Sequence, residues 1–120
     1  MKRVRKMLFL IMMLICFSFK TASAAIVLDG FYLTWYGYDT GNVTAMGTTP
    51  VPYYTIAVDP NIIPLGSYCT VVFPDGRVFE CRAEDTGGMV YGYHIDMYVD
   101  ESDDSLNYWN NVDGVTVYIH

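Results

Sequence analysis

From Phe31 onward, apolar and polar positions alternate in short runs broken by turn residues. "FYLTWYGY" sets Phe31, Leu33 and Trp35 against Tyr32, Thr34 and Tyr36, a period of two that predicts a strand with one face buried. "YYTIAV", "YCTVVF", "RVFECRA", "YHIDMYV" and "GVTVYIH" are likewise rich in β-branched and aromatic residues. Between them lie turn signals: "DTGN", "TTPVP", "DPNIIPLG", "FPDG", "DTGGM" and "NVDG". A sustained helical period is missing. One short helix is predicted from Ser102 to Asn110, with Ser102 as its cap, Asp103 and Asp104 at its positive end, and Leu106 and Trp109 one turn apart. Six strands and a late helix predict an all-β fold, a small six-stranded barrel, because closure leaves no edge on strands this apolar.

The first residues have a different character. "MKRVRK" is basic, "MLFLIMMLICFSF" is an apolar run of 13 residues, and "KTASA" ends on small residues. That order predicts a signal peptide over residues 1–24, with cleavage after Ala24 and a secreted, extracytoplasmic domain over 25–120. The apolar run is shorter than the roughly 18 residues a spanning helix needs, so no membrane association is expected once it is removed. Five of the seven basic residues go with it. The remainder keeps Arg77 and Arg82 against thirteen acids, a formal charge of −11. Such a surface repels phosphate backbones, which excludes nucleic acid as a partner.

Cys69 and Cys81 flank "TVVFPDGRVFE", a hairpin turning at Pro74, Asp75 and Gly76. A three-residue loop sets the two cysteines opposite one another, and an exported chain permits a disulfide there. Two half-buried thiols fit the same sequence.

Three aspartates occupy special places. Asp59 ends "YYTIAV" and precedes Pro60, which cannot continue a sheet ladder. Asp85 ends "RVFECRAE" before Thr86, Gly87 and Gly88, where glycine permits a sharp reversal or close approach to a ligand. Asp96 lies inside "YHIDMYV", sharing a face with His94 and Tyr98 while Ile95, Met97 and Val99 take the other. Singly, each has a plain alternative: a turn cap, an Asx-turn, a solvated strand residue.

Taken in order, "YLTWYGYDTGNVTAMGTTP", "TIAVDPNIIPLG", "AEDTGGMVYGYHIDMYV" and "VDGVTVYIH" resemble the 3D domain, a family named for three aspartates. The likeness spans about Phe31 to His120. It implies a double-psi β-barrel and kinship with the catalytic domain of membrane-bound lytic transglycosylase A and with small stationary-phase muralytic proteins. It further implies peptidoglycan glycan strands as substrate and cleavage of the MurNAc-β-1,4-GlcNAc bond with a 1,6-anhydro product. Asp96 would be the catalytic acid/base and Asp85 and Asp59 its supporting acids. One position departs from the family pattern: a basic residue is common in the turn where this chain has Tyr91.

Glycoside cleavage needs a proton delivered to the leaving oxygen. A lytic transglycosylase manages with one carboxyl, because the substrate's own C6 hydroxyl attacks the anomeric carbon and the acid then serves as base. That carboxyl must hold a proton well above its ordinary value of about 3.9. Crowding by Asp59 and Asp85 would keep Asp96 protonated, or the two acids would hold its hydrogen bonds in place, so that it can donate. The Thr86–Gly88 turn offers backbone amides to a sugar oxygen, Tyr91 lies in the same turn, and His94 is a second possible proton carrier. Trp35 and Tyr36 offer flat surfaces for sugar stacking. No cofactor and no metal are expected, and the oligomeric form is either a monomer or a strand-exchanged dimer. The rival reading is a non-catalytic wall-binding module, since double-psi barrels also serve as carbohydrate binders.

Overall fold

The computed structural model describes residues 25–37, 43–108 and 111–120. The signal segment predicted over residues 1–24 lies outside them. All six predicted strands are present: β1 Ile26–Tyr36, β2 Thr55–Val58, β3 Tyr68–Val72, β4 Val78–Asp85, β5 His94–Tyr98 and β6 Val112–Ile119. They close into a barrel in the order β1-β5-β2-β4-β3-β6. Two pairs run parallel, β1 with β5 and β2 with β4, while the other four contacts are antiparallel. The barrel is of double-psi type, as the sequence resemblance implied.

Alternation decides which side chains fill it. Phe31 and Leu33 from β1, Ile56 and Val58 from β2, Val71 from β3, Ile95 and Met97 from β5, and Val115 and Val117 from β6 form one core. Burying each such side chain contributes roughly 1.5–3 kcal/mol. β2 is buried at all four positions because it sits between β5 and β4 with the barrel closed around it. β1 starts five residues earlier than the alternation from Phe31 predicts. Its first half pairs with β6 and is mostly exposed, and the register shifts between Leu28 and Phe31, where Gly30 takes φ 79°. That positive φ suits glycine, so the strand can twist there without strain.

The β3–β4 hairpin turns through Pro74, Asp75 and Gly76, closed by the Phe73 amide donating to the Arg77 carbonyl at 2.8 Å. The three-residue loop puts Cys69 directly opposite Cys81, and both are buried free thiols. The predicted helix is shorter than expected. It is a 3-10 turn over Asp104–Tyr108, and the cap is Asp103, whose carboxylate accepts from the Ser105 amide at 2.9 Å. Ser102 instead bonds the Asp100 side chain. Leu106 is buried as expected, and Trp109 lies outside the described residues.

Candidate functional site

β4 and β5 do not touch along the barrel wall, yet each delivers an aspartate to one cavity. β2 lies between them, and in its register Ala57 pairs with Asp85 on one side and Asp96 on the other. A residue as small as Ala57 leaves space above the strand. The result is an open cavity of about 220 Å³ lined by Tyr36, Val43, Ala57, Asp85, Thr86, Gly87 and Asp96. That is below the roughly 300–1,000 Å³ of enclosed drug-sized sites.

Asp85 is held by three donors. The Tyr36 hydroxyl donates to Oδ2 at 3.0 Å, and the Ala45 and Thr86 amides donate to Oδ1 at 2.9 Å each. Tyr36 is held protonated by its own burial and then by the adjacent Asp85 charge, which raise its phenol above the ordinary value. The Ala45 bond ties the segment after Val43 to the end of β4, helped by the Met46 amide donating to the Glu84 carbonyl at 3.1 Å. This segment makes one wall of the cavity.

Asp96 is raised above the ordinary carboxylate range. Burial is the leading cause, and the Asp85 charge adds to it. A hydrogen bond from the Thr34 hydroxyl to Oδ1, 3.0 Å long, and the nearby His94 pull the other way. Asp96 is therefore a carboxyl disposed to keep its proton, next to a second carboxyl, in a site open to solvent.

Asp59 stands elsewhere. Its oxygens accept from the Gly92 amide at 2.8 Å and the Asn61 amide at 2.9 Å, and these bonds lower its carboxyl below the ordinary range, Gly92 first. It does not line the cavity, and it is not among the groups that shift Asp96. The crowding expected of three acids thus reduces to two, with burial doing more than charge.

The other predicted site residues divide. Tyr36, Thr86 and Gly87 line the cavity, while Gly88, Tyr91, His94 and Trp35 do not. The Thr86 amide is committed to Asp85 and is not offered to a ligand through that bond. Trp35 is exposed on the opposite side of β1 from Thr34 and Tyr36, because strand alternation turns it outward where the core face ends. His94 bonds Thr34 behind Asp96. Sequence reasoning missed Thr34, Val43, Ala45 and Ala57. Thr34 was detectable as the only aliphatic hydroxyl on the polar face of "YLTWY"; the other three depend on how the strands pair. Among the described residues, no group of three or more His, Cys, Asp or Glu side chains is placed to hold a metal ion.

Comparison with known proteins follows the same lines. The 3D domain model matches residues 54–119. The "Cell wall-binding protein YocH" of Bacillus subtilis strain 168 is 47% identical over 53 residues, which is 44% of this chain and 17% of that protein. MltA of Escherichia coli, described as a lytic transglycosylase, superposes with a TM-score of 0.53 at 23% identity, covering 65% of this chain and 27% of that one. LtgG of Burkholderia pseudomallei, also a lytic transglycosylase, gives a TM-score of 0.52 at 26% identity over 66% of this chain and 26% of the other. The chain spans under a third of each of these proteins.

Proposed function

We propose that this chain, which belongs to the 3D domain family, is a peptidoglycan lytic transglycosylase acting outside the cytoplasm. The observation that carries the proposal is Asp96: a carboxyl raised chiefly by burial, lining an open cavity beside Asp85. Asp96 donates its proton to the glycosidic oxygen as the bond to the anomeric carbon of MurNAc breaks. The C6 hydroxyl of the same sugar then attacks that carbon, and Asp96 takes the hydroxyl proton back. Because the nucleophile is part of the substrate, no second carboxyl has to activate water. Asp85 maintains the cavity wall and raises Asp96, and Asp59 holds the loop that leads into β5. The lytic transglycosylases with the same barrel support this reading.

The test is Asp96→Asn, which keeps shape and removes the proton donor. Purified sacculi treated with the wild type should release anhydro-muropeptides, and the variant should release about a thousandfold less or none, since positioned acid–base groups contribute roughly 10²–10⁴-fold. A variant with wild-type turnover would end the assignment.

A second reading is favoured by one observation, the 47% identity to a protein named for cell-wall binding. On that reading the barrel retains glycan strands without cutting them. Co-sedimentation with sacculi whose muropeptide profile stays unchanged would support it.

A further inference from the structure

The hydrogen bonds behind Asp96 restrict where protons can sit. His94 Nδ1 lies 3.2 Å from the Met89 carbonyl oxygen, which can only accept, so Nδ1 carries a proton. His94 Nε2 lies 2.8 Å from Thr34 Oγ1, and Thr34 Oγ1 lies 3.0 Å from Asp96 Oδ1. A threonine hydroxyl has one proton to give. When it goes to Oδ1, the hydroxyl oxygen turns a lone pair toward Nε2, and that contact is a hydrogen bond only if Nε2 is protonated too. His94 is then an imidazolium. When His94 is neutral, Nε2 takes the hydroxyl proton, and Oδ1 meets a lone pair unless Oδ1 itself is protonated. Asp96 Oδ2 takes no hydrogen bond from a described residue and is left for whatever enters the cavity.

We propose that Thr34 and His94 are positioning residues that decide which oxygen of Asp96 carries the proton it delivers. With His94 charged, Thr34 donates to Oδ1, Oδ1 is the carbonyl oxygen of the acid, and the proton resides on Oδ2. With His94 neutral, the hydroxyl reverses and draws the proton onto Oδ1, away from the substrate. The chemistry rests on the transglycosylase reading; the hydrogen-bond logic does not.

The charged arrangement serves both halves of the reaction. The Oδ2 proton passes to the glycosidic oxygen, which keeps the electron pair of the breaking bond. Oδ2 then accepts the C6 hydroxyl proton as that oxygen bonds the anomeric carbon. Thr34 donates to Oδ1 throughout, and the protein ends with the protons it began with. The titratable groups facing this row are Tyr32 and Tyr36 from β1, Asp85 from the end of β4, and Tyr98 on β5 itself. Opposite Asp96, β2 presents only Ala57.

The test reads the two protonation sites directly by NMR on the full chain carrying labelled histidine and aspartate, with His120→Gln used for assignment. In the wild type, the Asp96 carboxyl carbon should move at the midpoint where His94 Nε2 loses its proton, in addition to its own titration. Thr34→Val should abolish that second inflection, and Thr34→Ser should keep it. On soluble glycan strands, Thr34→Val should lower kcat roughly tenfold, about one hydrogen bond's worth, with KM within about twofold. His94→Gln keeps an N–H donor near the Nε2 position but has no proton to lose there, so the second inflection of the Asp96 carboxyl carbon should vanish while its own titration remains. A wild-type Asp96 signal that ignores the His94 titration overturns the proposal, as does a Thr34→Val enzyme of unchanged kcat. Coupled titrations in a protein that releases no anhydro product would uphold the Thr34–His94 row and reject the transglycosylase reading instead.

Discussion

The Gly92 amide donates a 2.8 Å hydrogen bond to Asp59 Oδ2, which fastens the loop between β4 and β5 to the end of β2. The bond crosses 33 residues of sequence. It gives the first of the three aspartates a mechanical role, because the loop it holds leads directly into the strand that carries His94 and Asp96.

Asp59→Ala should therefore lower activity while sparing the core. Small misplacements of a catalytic group cost up to roughly 10²-fold, so a loss of about ten- to a hundredfold is expected, with far-UV circular dichroism unchanged and faster hydrogen exchange at Gly92. The bond has its own pH window. The Asp59 carboxyl is lowered in the folded protein, first by Gly92, so its stabilising contribution is complete above the ordinary carboxylate range and disappears as pH falls through the lowered value. Gly92 protection should persist at neutral pH and fade in strong acid.

Asp96 has the opposite sign. Its folded value is raised, mainly by burial, so the folded state favours the protonated form. The fold gains from this group below the ordinary carboxylate range and loses that gain as pH rises through the raised value. Asp96→Asn removes the cost of a buried charge. The variant's melting temperature should gain on the wild type's as pH rises through that raised value, and the gap should close in acid. A thermal-shift series across pH measures this, and an unchanged gap would contradict the burial account.

Asp85→Ala leaves the Ala45 and Thr86 amides and the Tyr36 hydroxyl without their shared acceptor. The cavity wall formed by the segment after Val43 should loosen. The bonds from the Ala45 and Thr86 amides are exposed and water can replace them, so only the part-buried Tyr36 hydroxyl carries a desolvation cost, about 1–3 kcal/mol at most. Urea titration should show an unfolding free energy lowered by no more than about that amount, together with a turnover loss of at least about tenfold.

The thiols of Cys69 and Cys81 face each other across the β3–β4 ladder. Burial pushes them up to about 11 and about 12, and Cys81 also feels Cys69. Thiolate is the reactive form. Neither cysteine should take an alkylating reagent at mildly alkaline pH in the native state, and both should do so once the chain is unfolded without reductant. Intact-mass analysis counts the adducts. An unfolded chain that still takes none would mean that the pair is bridged.

Much of the barrel was legible in the sequence because its strands obey one rule. A period of two, punctuated by Gly, Pro and Asp, located all six, and the alternation in "YHIDMYV" correctly set Ile95 and Met97 in the core and Asp96 on the other face. What could not be read was which strands become neighbours. Asp85 and Asp96 share a cavity only because β2 runs between β4 and β5 with Ala57 at the crossing, and a parallel pairing leaves no mark on local sequence. Nor could local sequence show that Asp59 accepts from the Gly92 amide or that Trp35 faces away from Thr34 and Tyr36. The helix was misjudged for a local reason: Asp103 competes with Ser102 as a cap and wins by bonding the Ser105 amide.

The most direct measurement follows oxygen. Sacculi are digested by the protein in heavy-oxygen water, and the new MurNAc termini are weighed. If Asp96 alone acts as acid and base, and the sugar's C6 hydroxyl closes the ring, the termini are anhydro and carry no solvent oxygen. Reducing termini that incorporate the heavy isotope would mean that water is the nucleophile, and the single-carboxyl account would be wrong.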